Sequence, residues 1–469
     1  MSLHHGIRPA FAAMLSGVLL SVALPDPSCA GQDLRYLSFH PVPLSIPADS
    51  PAARAIPADA PAAHASLADA DKGAEFTLRP ARPDPVTREA QYRESIAAMR
   101  GTEGPFALPL GEHLLGLGQA LQEQGKLAEA LEAYEASRHV MRVNLGLHSP
   151  EQIAVLKSMF SAYAAQSDID KAHATQEALF NLRLKHHGRD GAGAVNALLE
   201  WADWNVTLYL LLDPLPSMDS SLRTFNRMND PRLELAYDTY TKALQSLHEH
   251  AEPGDERLVQ TERKLAALNF ITNRKLQDTY GYALHYYAAR SPDVHDSGDD
   301  AIESASAARF YDGTSALRRA LAHSERRPQR RNDDIAARMV ELGDWYLLFD
   351  HRAAAMEMYR DALRFMRESS LPQEEVERIM SPGMPVPTPD TAYMAPVDAS
   401  EYAGFIDVEF ELTQFGMATN PQIIGSSAEN RQIERELLRE IRDCKFRPKF
   451  VADAPVNREK IQLRYYYSL

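Results

Sequence analysis

The chain reads as a mixed α and α/β protein, an all-α array of helical hairpins over residues 85–371 followed by a small β-β-α-β domain over residues 399–469. Three observations predict this. Apolar residues recur at helical spacing through the long central stretch, with glycine breaking the pattern between hairpin halves. Strict alternation appears twice near the end, at Ile406, Val408, Phe410 and Leu412 and again at Ile461, Leu463, Tyr465 and Tyr467, as half-buried strands require. Between these runs lies one amphipathic helical pattern, carried by Ile433, Leu437, Leu438 and Ile441.

Composition narrows the class of function. A chain of 469 residues holds two or three domains. Its net charge of −15 argues against a general nucleic-acid binder, which needs a basic face.

Residues 1–30 predict a cleaved secretory signal peptide. Arg8 supplies the positive start, residues 11–24 the short apolar run, and Ser28-Cys29-Ala30 a small-x-small cleavage site. Residues 11–24 would rise only about 21 Å as a helix, short of a hydrocarbon core of roughly 30 Å, so an uncleaved anchor fits poorly. Asp26 and Pro27 spoil a lipoprotein leader. No other stretch approaches a membrane span, so the mature chain is expected in the periplasm without one. Cleavage would remove Cys29 and leave Cys444 alone, with no intramolecular disulfide; Cys444 reads as a small buried apolar residue.

Residues 31–84 are expected to form a disordered tether. Proline and alanine dominate much of it, and Ile-Pro-Ala-Asp occurs at both 46–49 and 56–59. Such a segment lacks the apolar bulk to offset its ordering entropy.

The helical array is clearest at residues 111–144. Leu114, Leu117, Gly118, Leu121, Gly125, Leu127, Ala130, Tyr134 and Ser137 fall where two close-packed helices need them, with small residues at Gly118 and Ala130 for close approach. This pattern resembles the tetratricopeptide repeat, a helical hairpin of about 34 residues. Leu114 and Leu121 stand at the family's tryptophan and tyrosine positions. A second unit starts near Ile153, after a Gly146-Leu147-His148-Ser149-Pro150-Glu151 connector that looks like those of kinesin-light-chain-like repeats. Gln176 replaces its usual aromatic. A third starts near Ala336, with Gly343, Tyr346, Ala355, Tyr359 and Ala362 in register. Degenerate helices at residues 195–212, 232–247, 256–286 and 301–322 bring the expectation to four or five pairs, stacked as a tetratricopeptide-like solenoid. The resemblance implies a groove lined by Glu112, Gln119, Gln122 and Lys157, with Leu115, Ala154, Ser161 and Ala164 between them. Lys157 is the one residue there suited to a carboxylate clamp, so such a clamp is not expected.

Residues 372–398 hold six prolines (Pro372, Pro382, Pro385, Pro387, Pro389 and Pro396) and predict a second linker. The terminal domain then opens with strand 406–412, turns at Gln414-Phe415-Gly416-Met417, and continues through a weaker strand at 420–424. Ser426 and Glu429 predict a capping box for the helix, which runs to about Arg442. The final strand lies at 461–467.

The hairpin with Gly416, the Ser426-Ser427 pair, the Cys444-Lys445-Phe446-Arg447-Pro448 helix exit, the Ala454-Pro455-Val456 approach and the aromatic last strand together resemble the TonB C-terminal domain family. The resemblance covers residues 401–469. It implies a periplasmic domain whose final edge strand pairs with an extended peptide of an outer-membrane partner. An open edge would also supply unpaired backbone groups on physical grounds alone. Lys460, Gln462, Arg464 and Tyr466 are the expected partner contacts. The membrane helix and charged proline spacer of energy-transducing family members have no counterpart here.

The other motifs point to no chemistry. The glycines at 188, 191 and 193 lack the Lys-Ser/Thr of a phosphate loop, and His248-Glu249-His250 lacks zinc-protease spacing. The basic run at 326–331 reads as a solvated interhelical loop. No catalytic residue, metal or cofactor is expected. The resulting expectation is a periplasmic adaptor for protein partners, an outer-membrane transporter or secretion component being what the resemblance implies. The alternative is an envelope-assembly scaffold whose terminal module only packs or dimerises.

Overall fold

The computed structural model describes residues 38–43, 84–188, 191–212, 230–288, 295–393, 402–451 and 453–468. The expected signal peptide lies outside these residues, as does nearly all of the expected tether. The protein is mostly helical, with a small antiparallel sheet built largely from its C-terminus. It divides into two compact units: of the described residues, the first holds 84–188 and 191–204, and the second 38–43 and everything from 205 onward.

The first unit contains α1 (Pro85–Thr102), α2 (Pro109–Glu123), α3 (Leu127–Leu145), α4 (Gln152–Ala165), α5 (Ile169–His187) and the start of α6 (Val195–Leu212). Asp84 caps α1, its carboxylate accepting from the backbone N–H of Val86 and Thr87 at 3.0 Å each, with Pro85 in the first turn. From α1 to α5 each helix packs on the next. Gly125, at φ +75°, turns α2 back as α3. The close approach rests on Gly118, where an added Cβ would collide with the Tyr134 ring. Tyr134 is fully buried and donates from its hydroxyl to Gln122 Oε1 at 2.7 Å. Trp201 and Trp204 of α6 close the core, Trp201 stacking on Phe180 and Trp204 standing edge-on to Phe160.

The second unit contains α7 (Pro231–His250), α8 (Glu256–Ala288), α9 (His295–Glu325), α10 (Asn332–Leu348), α11 (Arg352–Glu368) and α12 (Gln373–Met380). α10 and α11 repeat the first hairpin's device: a Cβ on Gly343 would meet the Tyr359 ring at 2.7 Å, and the Tyr359 hydroxyl donates to Asp344 Oδ1 at 2.7 Å.

The sheet holds β1 (Ser38–Pro43), β2 (Gly404–Leu412), β3 (Ala418–Ser426) and β6 (Arg458–Ser468) in the order β1-β6-β2-β3, all antiparallel. α13 (Arg431–Asp443) covers one face, and a hairpin of β4 (Lys449–Val451) and β5 (Ala454–Val456) stands apart from the sheet. Ile406, Val408, Phe410, Leu412, Ile461, Leu463, Tyr465 and Tyr467 pack against Ile433, Leu437 and Ile441, as the alternation requires. The start of α13 differs from expectation. Asn430 caps it, accepting from Gln432 N at 2.9 Å, while Ser426 and Ser427 turn back on the chain and Ser427 Oγ accepts from Phe405 N at 2.7 Å. Ser426 Oγ, the expected cap, is taken instead by Ala428 N at 3.1 Å, ahead of the helix start at Asn430.

Two expected linkers need correction. Residues 38–43, placed in a disordered tether, form β1. Residues 372–398, expected as a linker, contain over their described part α12, a strap, and a 3-10 turn at Pro389–Tyr393. The strap pairs its backbone with the exit of α13: Gly383 N donates to Arg447 O, Arg447 N to Met384 O, and Val386 N to Lys445 O, all within 3.0 Å. The turn is held on α7 and α8 by Tyr393, whose hydroxyl meets that of Tyr240 at 3.1 Å and donates to the Lys264 carbonyl at 3.2 Å. Proline removes donors without preventing such docking, because the neighbouring N–H groups suffice.

Candidate functional site: the final strand and its two flanks

The terminal sheet is anchored through the motif that the sequence presents as a helix exit. Phe446 is fully buried against Phe410, their ring centroids 4.9 Å apart. Gly416, at φ +77°, lets the preceding turn touch this segment: its carbonyl accepts from Phe446 N at 2.8 Å, and a Cβ there would collide with the Phe446 carbonyl oxygen. Arg447 reaches into the α10–α11 hairpin, with Nη2 to Asp344 Oδ2 at 2.7 Å and Nε to Asp344 Oδ1 at 3.0 Å. The same carboxylate accepts from Tyr359. Lys445 bonds Asp350 at 2.7 Å, and the Arg367 guanidinium holds Asp453 in the β4–β5 turn.

With the sheet fixed in this way, β6 runs down its middle. The expectation of an open edge at β6 is corrected here: β1 pairs with β6 from Ser38↔Ser468 to Pro43↔Leu463. Phe39 joins the core, while His40 lies on the outer face beside Tyr402, ring centroids 5.3 Å apart, where burial pushes its pKa down. Pro41 and Pro43 suit a strand that is itself an edge of the sheet.

The four expected contact residues therefore fall in two places. Arg464 and Tyr466 lie on the stretch that β1 covers. Their side chains stand on the face away from α13. Arg464 grips Asp407 with Nε and Nη2 at 2.7 and 2.9 Å and lies 4.1 Å from the Phe405 ring centroid, and hydrogen bonding to Asp407 raises its pKa further. Tyr466 stacks on Tyr402 at 5.0 Å. These are cross-strand contacts within the sheet. Lys460 and Gln462 lie beyond the end of β1. Gln462 donates to Glu409 at 2.8 Å; Lys460 is exposed and sits at φ +55°, where the β2–β6 register shifts by a bulge. Here β6, the end of β1 at Pro43, and the strap at Ser381, Gly383 and Met384 line a groove of about 510 Å³. Arg458 closes one side by donating to the Pro382 carbonyl at 2.9 Å.

The expected groove of the first unit also divides. Glu112 and Lys157 are exposed and Gln119 is half-buried. Gln122 is buried and committed internally, donating to Ser161 Oγ at 3.0 Å while accepting from Tyr134. Its position where α2, α3 and α4 meet makes it a packing residue rather than a partner contact. Sequence reasoning misses β1 because its two prolines and single aliphatic residue, Val42, resemble a tether; the alternation of Phe39, Pro41 and Pro43 with Ser38, His40 and Val42 is the available signal.

Among the described residues no cluster of three or more His, Cys, Asp or Glu side chains could hold a metal, and no helix is long and apolar enough to cross a membrane. No protein-family model matches the chain, and no curated protein matches it in sequence. Among solved structures it is similar to BtubC (BKLC) from P. vanneervenii, at 13% identity over 64% of this chain and 92% of that one, with a TM-score of 0.35. It is also similar to a variant form of a Podosopora anserina chain assigned as a kinesin light chain with nearly identical TPR-like repeats, at 13% identity over 55% of this chain and 95% of that one, with a TM-score of 0.34.

Proposed function

We propose that this chain is a periplasmic protein-interaction scaffold, in which tetratricopeptide-like hairpins present binding faces and a TonB-like sheet accepts an extended strand from a partner. The observation that carries the reading is the β1–β6 pairing: a segment from the far end of the sequence adds itself to the final strand as a partner peptide would. On this reading β1 occupies the acceptor edge in cis, and an outer-membrane transporter or secretion component competes for it. The groove beside Lys460 and Gln462 gives an incoming strand its starting point, next to where β1 ends. The TonB resemblance and the predicted signal peptide support the location; an inner-membrane motor is no part of the proposal.

The test uses the full chain and a variant lacking residues 38–43, with a labelled synthetic peptide of that same hexapeptide sequence. The variant is expected to bind the peptide and the wild-type chain to bind it far more weakly. A folded variant that ignores the peptide would remove β6 as an acceptor edge.

One observation favours the second reading, a terminal module that caps the helical array. Arg447, Lys445 and the strap lock the sheet onto α10, α11 and α12, and a freely tethered docking module has no need of this.

A further inference from the structure

Many arginines of this acidic chain pair with carboxylates. Arg183 meets Glu200, Arg263 meets Glu341, Arg319 meets Glu262, and Arg447 meets Asp344. On α3, Arg138 and Arg142 make no such ion pair among the described residues and share one cleft. Arg138 and Arg142 are four residues apart on one face of that helix, so their like charges repel. Both line a cleft of about 440 Å³ between α3, α4 and α5. The Nε of Arg138 is buried with no hydrogen-bond partner. Burial first, then the neighbouring charge of Arg142, push the Arg138 pKa down, against a smaller opposing pull from Tyr163 and Glu135.

The other polar groups of the cleft are largely satisfied. Lys171 pairs with Asp168 at 2.9 Å, and the Tyr163 hydroxyl donates to Glu135 at 3.3 Å. Met159, Ala174 and Ala178 supply an apolar floor, and Thr175 a hydroxyl. The cleft lies on the far side of α4 from the expected groove: Met159 and Tyr163 each follow Lys157 and Ser161 by two residues, about 200° around the helix. It is thus a separate surface.

We infer that this cleft binds an acidic segment of a partner protein, with the Arg138 and Arg142 guanidiniums clamping an aspartate or glutamate carboxylate and the apolar floor taking its methylene stem. Two guanidiniums one helical turn apart, neither in an ion pair and one with a buried unpartnered Nε, match the planar carboxylate, which accepts parallel N–H donors. A cleft of this size holds a few side chains rather than a folded domain. Glu135 also lines the cleft, its hydroxyl partner being Tyr163, so the incoming carboxylate is placed on the Arg138 and Arg142 side.

The experiment is fluorescence anisotropy with labelled hexaglutamate and the full chain. Wild-type protein is expected to bind hexaglutamate and not hexaglutamine, with affinity falling as salt rises. R138Q and R142Q should each weaken binding about tenfold, as for loss of a charge-assisted hydrogen bond. The R326Q/R330Q double variant, in the basic run elsewhere, should bind like wild type. Circular dichroism checks folding, and R142Q, whose side chain is exposed, carries the test if R138Q does not fold. The inference falls if wild-type protein does not bind hexaglutamate, if the α3 variants bind it unchanged, if R326Q/R330Q loses binding instead, or if inorganic phosphate displaces the peptide more effectively than free glutamate does.

Discussion

Asp344 is the residue on which the second unit turns. Its carboxylate takes two donors from Arg447 and one from Tyr359, and all three side chains are buried or nearly so. Replacing one member of such a pair strands the other charge. Asp344→Asn should therefore cost about 3 kcal/mol in urea unfolding, whereas the Asp344→Leu, Tyr359→Phe, Arg447→Met triple substitution, which removes all three polar partners together, should recover most of that loss. Equal destabilisation by both would show that shape rather than charge holds the site. Cys444 gives a second prediction at this scale. Burial, helped by the nearby Glu440 and Asp443 charges, pushes its thiol up to about 12 from an ordinary value of 9.0. Native protein should react slowly with thiol reagents at pH 8 and quickly only in denaturant. The sign of the linkage follows: the folded pKa is raised, so stability is intact below pH 9 and falls between pH 9 and 12 as the unfolded thiol ionises first. Rapid native labelling at pH 8 would overturn this.

Elements differ in how openly the sequence displays them. α2, α3, α10 and α11 are legible because Gly118–Tyr134 and Gly343–Tyr359 repeat one contact at one spacing, and a small residue set opposite a ring is what close helix approach demands. β2 and β6 are legible because one apolar face forces alternation. β1 is not. Its core contribution rests on Phe39, and the rest of its stability comes from backbone pairing with β6, in which even Pro41 and Pro43 keep their carbonyl acceptors, so the pairing leaves little side-chain pattern. The strap at 381–386 fails for the same reason: three backbone hydrogen bonds to the α13 exit hold it, and backbone bonds leave little trace in side-chain pattern. Of the eight expected partner contacts, Gln122, Gln462, Arg464 and Tyr466 are taken up by internal partners. Polarity at a strand or helix position marks a hydrogen bond; it does not say with what.

In the second unit, the terminal domain shares one buried polar core with the α10–α11 hairpin and one backbone ladder with the strap that follows α12. Ending the chain after Tyr393 removes both. Hydrogen exchange in α10 and α11 should then speed up markedly, because their protection depends on Arg447 and the strap ladder. Unchanged protection would mean that the helical array stands alone and that the sheet is only a passenger.

Periodicity, glycine placement and strand alternation were enough to determine the helical hairpins, the sheet-and-helix terminal domain and their order, because each is a local pattern set by which face meets water. Tertiary structure alone decided which strand lies at the edge, that two proline-rich segments are built into the fold, and that Arg138 and Arg142 are left without carboxylates. Those outcomes depend on pairing between residues far apart in the chain, and a local pattern carries no record of its distant partner.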